Sequence, residues 1–163
     1  MLFRSTLLEL MAVLVVVSLA AGLAMPSIST NLQRWRLHTA VRELNTMIKF
    51  TRTQAVANRQ AFQLVLDRSR NLYWLDRQNA SLDAERAHEK GIRLIALPTG
   101  VRFGEVKLGG LEATDSQLGM LFSPYGTTTG SSVQVVDERG HGYHIVLDQV
   151  TGQSVIRRID MHG

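Results

Sequence analysis

The chain has 163 residues, 45% apolar and 20% charged, the composition of about one globular domain rather than of a disordered segment. It contains no cysteine, which excludes disulfide scaffolds, Cys-ligated zinc, iron–sulfur clusters and thiol catalysis. The net charge of +4 is unevenly spread: residues 1–60 hold seven Lys/Arg against two Asp/Glu, residues 61–163 eleven against twelve. A near-neutral C-terminal part argues against a domain built around a nucleic-acid face, while leaving room for a local basic patch.

From Leu10 to Gln33 there is no charged residue. The apolar stretch Leu7–Met25 is long enough for a helix that crosses a bilayer, which needs about 20 residues. A secretory signal peptide would need a basic start and an apolar core that ends at a small-residue site. Only Arg4 supplies the charge, Glu9 sits where that core should begin, and the apolar run continues past Ala20-Ala21-Gly22. The sequence therefore predicts a membrane helix over residues 5–29. Glu9 inside it has two readings, an interfacial carboxylate that snorkels to water or a charge that pairs with a cation in an assembly. Pro26 lacks a backbone donor and predicts a helix bend.

Residues 30–60 remain helical in pattern but lose membrane hydrophobicity. Leu37, Val41, Leu44, Ile48 and Ala55 form one apolar stripe, with Arg42, Lys49, Arg52 and Arg59 largely off it. The basic side chains read as a solvated face, with anionic lipid headgroups or an acidic partner as alternatives.

From residue 61 to 163 the pattern is of short apolar segments between turns. Phe62–Leu66 and Leu72–Leu75 flank a hairpin turn, and Asp76–Gly91 reads as a loop with a short helical turn at Ala84–Glu89. Ile92–Leu97 and Val101–Leu108 flank Pro98-Thr99-Gly100. Met120–Phe122, Ser132–Val136, Tyr143–Leu147 and Ser154–Ile159 bring the count to about eight strands. The expected fold is α+β: a long N-terminal helix, membrane-spanning then amphipathic, packed on an antiparallel β-sandwich-like domain.

Nothing in this pattern points to catalysis, and no cofactor is implied. Asp137, Glu138, His141 and His144 crowd one turn, where metal ligation is the sharper reading and an exposed hairpin connection the blander one. Gly126-Thr127-Thr128-Thr129-Gly130-Ser131-Ser132 lacks the lysine and following helix of a phosphate-binding loop. Tyr73 and Trp74 read as packing residues rather than a base-stacking platform.

Ser5-Thr6-Leu7-Leu8-Glu9-Leu10-Met11, followed by the Ala12–Val17 apolar run, resembles the start of a type IV pilin or pseudopilin, with the family glutamate on Glu9 and its helix-bending proline on Pro26. The leader glycine of that family falls on Arg4 and its first mature residue on Ser5, so residues 1–4 form a leader-like segment. Phe50–Leu64, with Arg52, Ala55 and Arg59 as matching positions, resembles the H-type minor pseudopilins of type II secretion and the related FimT-like minor pilins. Leu97-Pro98-Thr99-Gly100-Val101 and Phe122-Ser123-Pro124-Tyr125-Gly126 resemble two further segments of that family, whose likeness leaves out only residues 76–91.

The resemblance implies a minor pseudopilin in the periplasmic pseudopilus of a type II secretion system, a single-pass protein of the bacterial inner membrane with its C-terminal domain in the periplasm. It implies cleavage and N-methylation between Arg4 and Ser5, hindered by arginine in the place of glycine, and a filament-assembly role for Glu9. The implied partners are other minor and major pseudopilins, the prepilin peptidase, the inner-membrane assembly platform and membrane lipid. Charge counting disagrees on orientation, since Arg34, Arg36 and Arg42 follow the helix and only Arg4 precedes it. The alternative is a FimT-like minor pilin that binds DNA. Those proteins use Gly-Arg-x-Arg near the C-terminus, where this chain has Gly152-Gln153-Ser154-Val155. Arg157 and Arg158 stand nearby, but adjacent strand residues point to opposite faces.

Overall fold

The structure, a computed structural model, describes residues 3–77 and 83–160, without the side chains of residues 3–6, 21–31 and 160. Helix α1 (Phe3–Asn58) is followed by β1 (Phe62–Asp67), β2 (Leu72–Arg77), α2 (Ala84–Glu89), β3 (Ile95–Ala96), β4 (Val101–Leu108), β5 (Leu111–Glu112), β6 (Gln117–Phe122), β7 (Ser131–Asp137), β8 (His141–Leu147) and β9 (Ser154–Asp160). The chain divides into two units, Met1–Trp35 and Arg36–Gly163.

The first unit is helical, and Leu7, Leu8, Leu10, Met11, Val13, Leu14, Val15, Val16, Val17 and Leu19 are each more than half exposed. Ser18 satisfies its hydroxyl locally by donating to the Leu14 carbonyl, so it adds no unpaired polar group to this surface. Among the described residues no helix is long and apolar enough to cross a membrane. This differs from the expectation of a spanning segment over 5–29. The described apolar side chains end at Ala20, and the rest of that segment, with the side chains of Arg4, Ser5 and Pro26, lies outside the described residues. At Pro26 the backbone is helical.

In the second unit the apolar stripe is buried as its spacing predicts. Leu37, Ala40, Val41, Leu44, Ile48 and Ala55 join Leu64, Leu66, Tyr73, Met120, Phe122, Val133, Val135, Ile145 and Leu147 in one core cluster. Full burial of each large side chain contributes about 1.5–3 kcal/mol. The helix ends in a left-handed residue, Arg59 at φ 50°, with the Gln60 N–H returning to the Ala55 carbonyl at 3.2 Å.

Two antiparallel sheets share this core, one in the order β3-β2-β1-β6 and one in the order β5-β4-β7-β8-β9. The Pro98-Thr99-Gly100 turn does not close a hairpin; it carries the chain from β3 in one sheet to β4 in the other. The two-residue β5 escaped the sequence reading because its side chains are exposed and show no alternation.

The smaller sheet is covered on both faces. Val65 and Trp74 point away from the main core into a second cluster with Ala84 and Ala87 of α2, whose small side chains let the helix approach closely. Asp83 caps that helix by accepting the Glu85 N–H at 3.0 Å. Three other aspartates set turns. Asp67 accepts from Ser69 Oγ, the Arg70 N–H and Gln117 Nε2; Asp137 accepts the N–H groups of Arg139 and His141; Asp148 accepts from Val150 and Thr151.

Candidate functional site

The described residues of the first unit offer an exposed apolar surface. Its described side chains from Leu7 to Ala20 are exposed, and all but Glu9 and Ser18 are apolar. Such a helix has no polar side to turn to water, so it needs a partner or lipid on every side. Glu9 is exposed on it and is the one carboxylate between Leu7 and Ala20.

The second unit holds a polar node that joins three distant segments. Arg52, half-buried on α1, donates from Nε to the Gly126 carbonyl at 3.2 Å. A Cβ on Gly152 would collide with the same carbonyl and would sit 3.1 Å from the Arg52 Cδ and Nε atoms. Gly126 at φ 81° and Gly152 at φ 63° both use the left-handed region that glycine enters without strain. The neighbouring turns are tied further by the Thr128 N–H, which donates to the Gln149 carbonyl at 3.1 Å. Tyr125 and Val150, 91% and 76% exposed, stand at the tips of these two turns.

Arg52 thus departs from the solvated basic face expected of it, whereas Arg42, Lys49 and Arg59 are exposed. Arg52 and Gly126 stand in two separate segments of the sequence; no local spacing connects them, and only the fold brings them together with Gly152.

The groups weighed for catalysis or ligand binding disperse. Asp137 spends one carboxylate oxygen on the β7–β8 turn, its other oxygen lies 3.5 Å from His141 Nδ1, and Glu138 is exposed. His141 and His144, three apart on β8, lie on opposite faces. Among the described residues no three His, Cys, Asp or Glu side chains gather as a metal site. The 126–132 segment is tied back to Ser123, whose Oγ lies 2.7 Å from Thr127 Oγ1, and leads into a strand.

Trp74 is fully buried and Tyr73 nearly so, each in a core cluster rather than on a stacking platform. Burial, helped by the negative charge of Glu43 and opposed by Arg93, pushes the Tyr73 phenol up to about 12. Arg157 and Arg158 pair with His144 and Tyr143 of β8, so they occupy opposite faces of the sheet.

No family model matches the sequence, and no curated protein matches it significantly. Solved structures do. The minor pseudopilin EpsH of the type 2 secretion system of Vibrio cholerae superposes with a TM-score of 0.52 at 12% identity, covering 77% of this chain and 97% of EpsH. A second EpsH structure gives 0.53 at 12% identity over 81% of this chain and 98% of that one. The type IV minor pilin FimU of Pseudomonas aeruginosa gives 0.53 at 16% identity, over 78% of this chain and 90% of FimU. At such identities the likeness is one of fold. A long N-terminal helix whose second part packs on antiparallel sheets, with EpsH and FimU as structural neighbours, is a type IV pilin-like fold.

Proposed function

We propose that this chain is a minor pseudopilin of a type II secretion system, a non-catalytic subunit of a short periplasmic pseudopilus and its tip. The observation that carries the proposal is the exposed apolar surface of Leu7–Leu19 with Glu9 within it. Lipid takes up such a surface before assembly, and the helical core of a filament takes it up afterwards. The chain is then a single-pass protein of the inner membrane with its β-domain in the periplasm. It is handled by the prepilin peptidase and the assembly platform and packs beside other minor and major pseudopilins. Arginine at position 4 slows cleavage before Ser5.

Glu9 costs about 2.5–3.5 kcal/mol at a bilayer centre and less near an interface, a penalty relieved by pairing with the N-terminal amine of a neighbouring subunit. Glu9→Leu therefore leaves membrane insertion intact and reduces co-purification with the other minor pseudopilins. Undiminished co-purification would remove the role given to Glu9. The DNA-binding alternative requires instead that residues 30–163 shift a DNA duplex in a salt-dependent way. Arg157 and Arg158, on opposite faces, are poorly arranged for one phosphate backbone.

A further inference from the structure

The five-stranded sheet ends in an open edge. β9 is the longest edge strand among the described residues, and it pairs with β8 through seven consecutive positions, from Ser154 opposite Leu147 to Asp160 opposite His141, without a bulge. The other edges are shorter or interrupted. β3 and β5 have two residues each, and the end of β6 is bridged by its own chain between Phe122 and Thr128. A long, regular edge is a template for another strand.

The side chains beside this edge define what fits. On the face away from the core, cross-strand rows run Lys107–Ser132–Val146–Val155 and Gln134–His144–Arg157. The first row floors an open cleft of about 620 Å³, which reaches Arg157. Lys107 is paired with Glu105 at 2.7 Å, and Glu105 also accepts from Gln134 at 3.2 Å. Arg157, by contrast, is exposed and has no carboxylate partner among the described residues. Val155 is 53% exposed beside it.

We propose that β9 accepts an extended strand from a partner protein, with an acidic residue opposite Arg157 and apolar residues opposite Val155 and Ile159. The added strand continues both rows: its apolar side chain extends the cleft floor past Val155, and its carboxylate meets the guanidinium. A second copy of this chain is a poor occupant. Matching two β9 strands over their full length in antiparallel register sets Arg157 against Arg157, and like charges directly opposite destabilise a pair. The arginine thus discourages self-association while selecting an acidic strand. The inference goes beyond the pseudopilin reading and does not depend on the N-terminal helix.

The full chain in detergent micelles tests it, with a labelled peptide Thr-Val-Thr-Glu-Thr-Val-Thr whose symmetric pattern fits either strand direction. Fluorescence anisotropy should show binding that weakens about five-fold when the peptide glutamate becomes lysine, the upper range for an opposite-charge cross-strand pair. Arg157→Glu should invert that preference while leaving the circular dichroism spectrum unchanged, the site being exposed. Replacing the third and sixth residues of the peptide by proline should abolish binding, because one of these two positions must turn its N–H toward β9 and proline has none to give to the ladder. Equal binding of the glutamate and lysine peptides, retention of the proline peptide, or no binding of the first peptide would each overturn the proposal.

Discussion

The two units use helical residues in opposite ways. Between Leu37 and Ala55 the stripe residues Leu37, Ala40, Val41, Leu44, Ile48 and Ala55 are at most 3% exposed, while Phe50, off the stripe, is 47% exposed. Between Leu7 and Leu19 the large apolar side chains surround the helix and are all more than half exposed. A stripe means that one neighbour, the β-domain, satisfies the helix; an apolar surface without a polar side means that the surroundings must do so on every side. The second unit can thus be completed by its own chain, while the first leaves an apolar surface that its surroundings must cover.

The largest test of this contrast is deletion of residues 1–29. The stripe and both sheets lie within what remains, so the fragment 30–163 should be soluble, monomeric or weakly associated, and β-rich with cooperative unfolding. The full chain should require detergent. Light scattering and circular dichroism on the two proteins check this, and an insoluble or non-cooperative fragment would show that the second unit depends on the first.

How much of this was legible depended on whether the signal was local. The stripe, the hairpin at Asp67, the helical turn at Ala84–Glu89 and the opposite-facing Arg157 and Arg158 all follow from spacing within a few residues, and the structure has them. Long-range features were not legible in that way. Nothing near Pro98 shows that its turn changes sheets, and nothing near Arg52 shows that its guanidinium ends on a carbonyl 74 positions away. Trp74 belongs to a separate cluster because α2 folds back over the smaller sheet, which an alternating strand pattern alone does not reveal. For the candidate assembly surface, the sequence located the apolar run and Glu9, and the structure adds that the described side chains are exposed all round.

A pair of identical substitutions sharpens the comparison on an intermediate scale. Leu44 is fully buried between α1 and the sheets, so Leu44→Ala should destabilise the domain by about 2–5 kcal/mol through lost transfer energy and a residual cavity. Leu14 is 57% exposed, and Leu14→Ala should change the same unfolding transition by no more than about 0.5 kcal/mol. Both are read from denaturant unfolding of the full chain in one mild detergent, followed by near-ultraviolet circular dichroism. Equal losses would mean that the helix around Leu14 packs within the chain after all.

The carboxylates give the smallest and most specific contrast. Glu9 stands exposed on an apolar helix, whereas Asp67 is buried at the β1–β2 turn. Burial by itself pushes the Asp67 carboxyl up, but hydrogen bonds from Ser69, Gln117 and the Arg70 N–H outweigh it and hold the group below the usual aspartate range. A carboxyl held lower in the folded state binds fewer protons there than in the unfolded chain, so it contributes stability above the unfolded value of about 3.9. That contribution fades as pH falls through the folded value. Asp67→Asn keeps one oxygen acceptor but puts an amide donor or a neutral oxygen where Gln117 Nε2 needs the carboxylate. It should cost about 1.5–3 kcal/mol near neutral pH, the scale of one charge-assisted bond. The gap between wild type and variant should stay constant down to about pH 5 and narrow below about pH 4, because protonation then removes the same charge from the wild type. Urea unfolding of residues 30–163 at a series of pH values measures it, provided the fragment folds as expected. A gap that widens on acidification would mean that Asp67 is held protonated in the folded domain, and that its three donors do not compensate its burial.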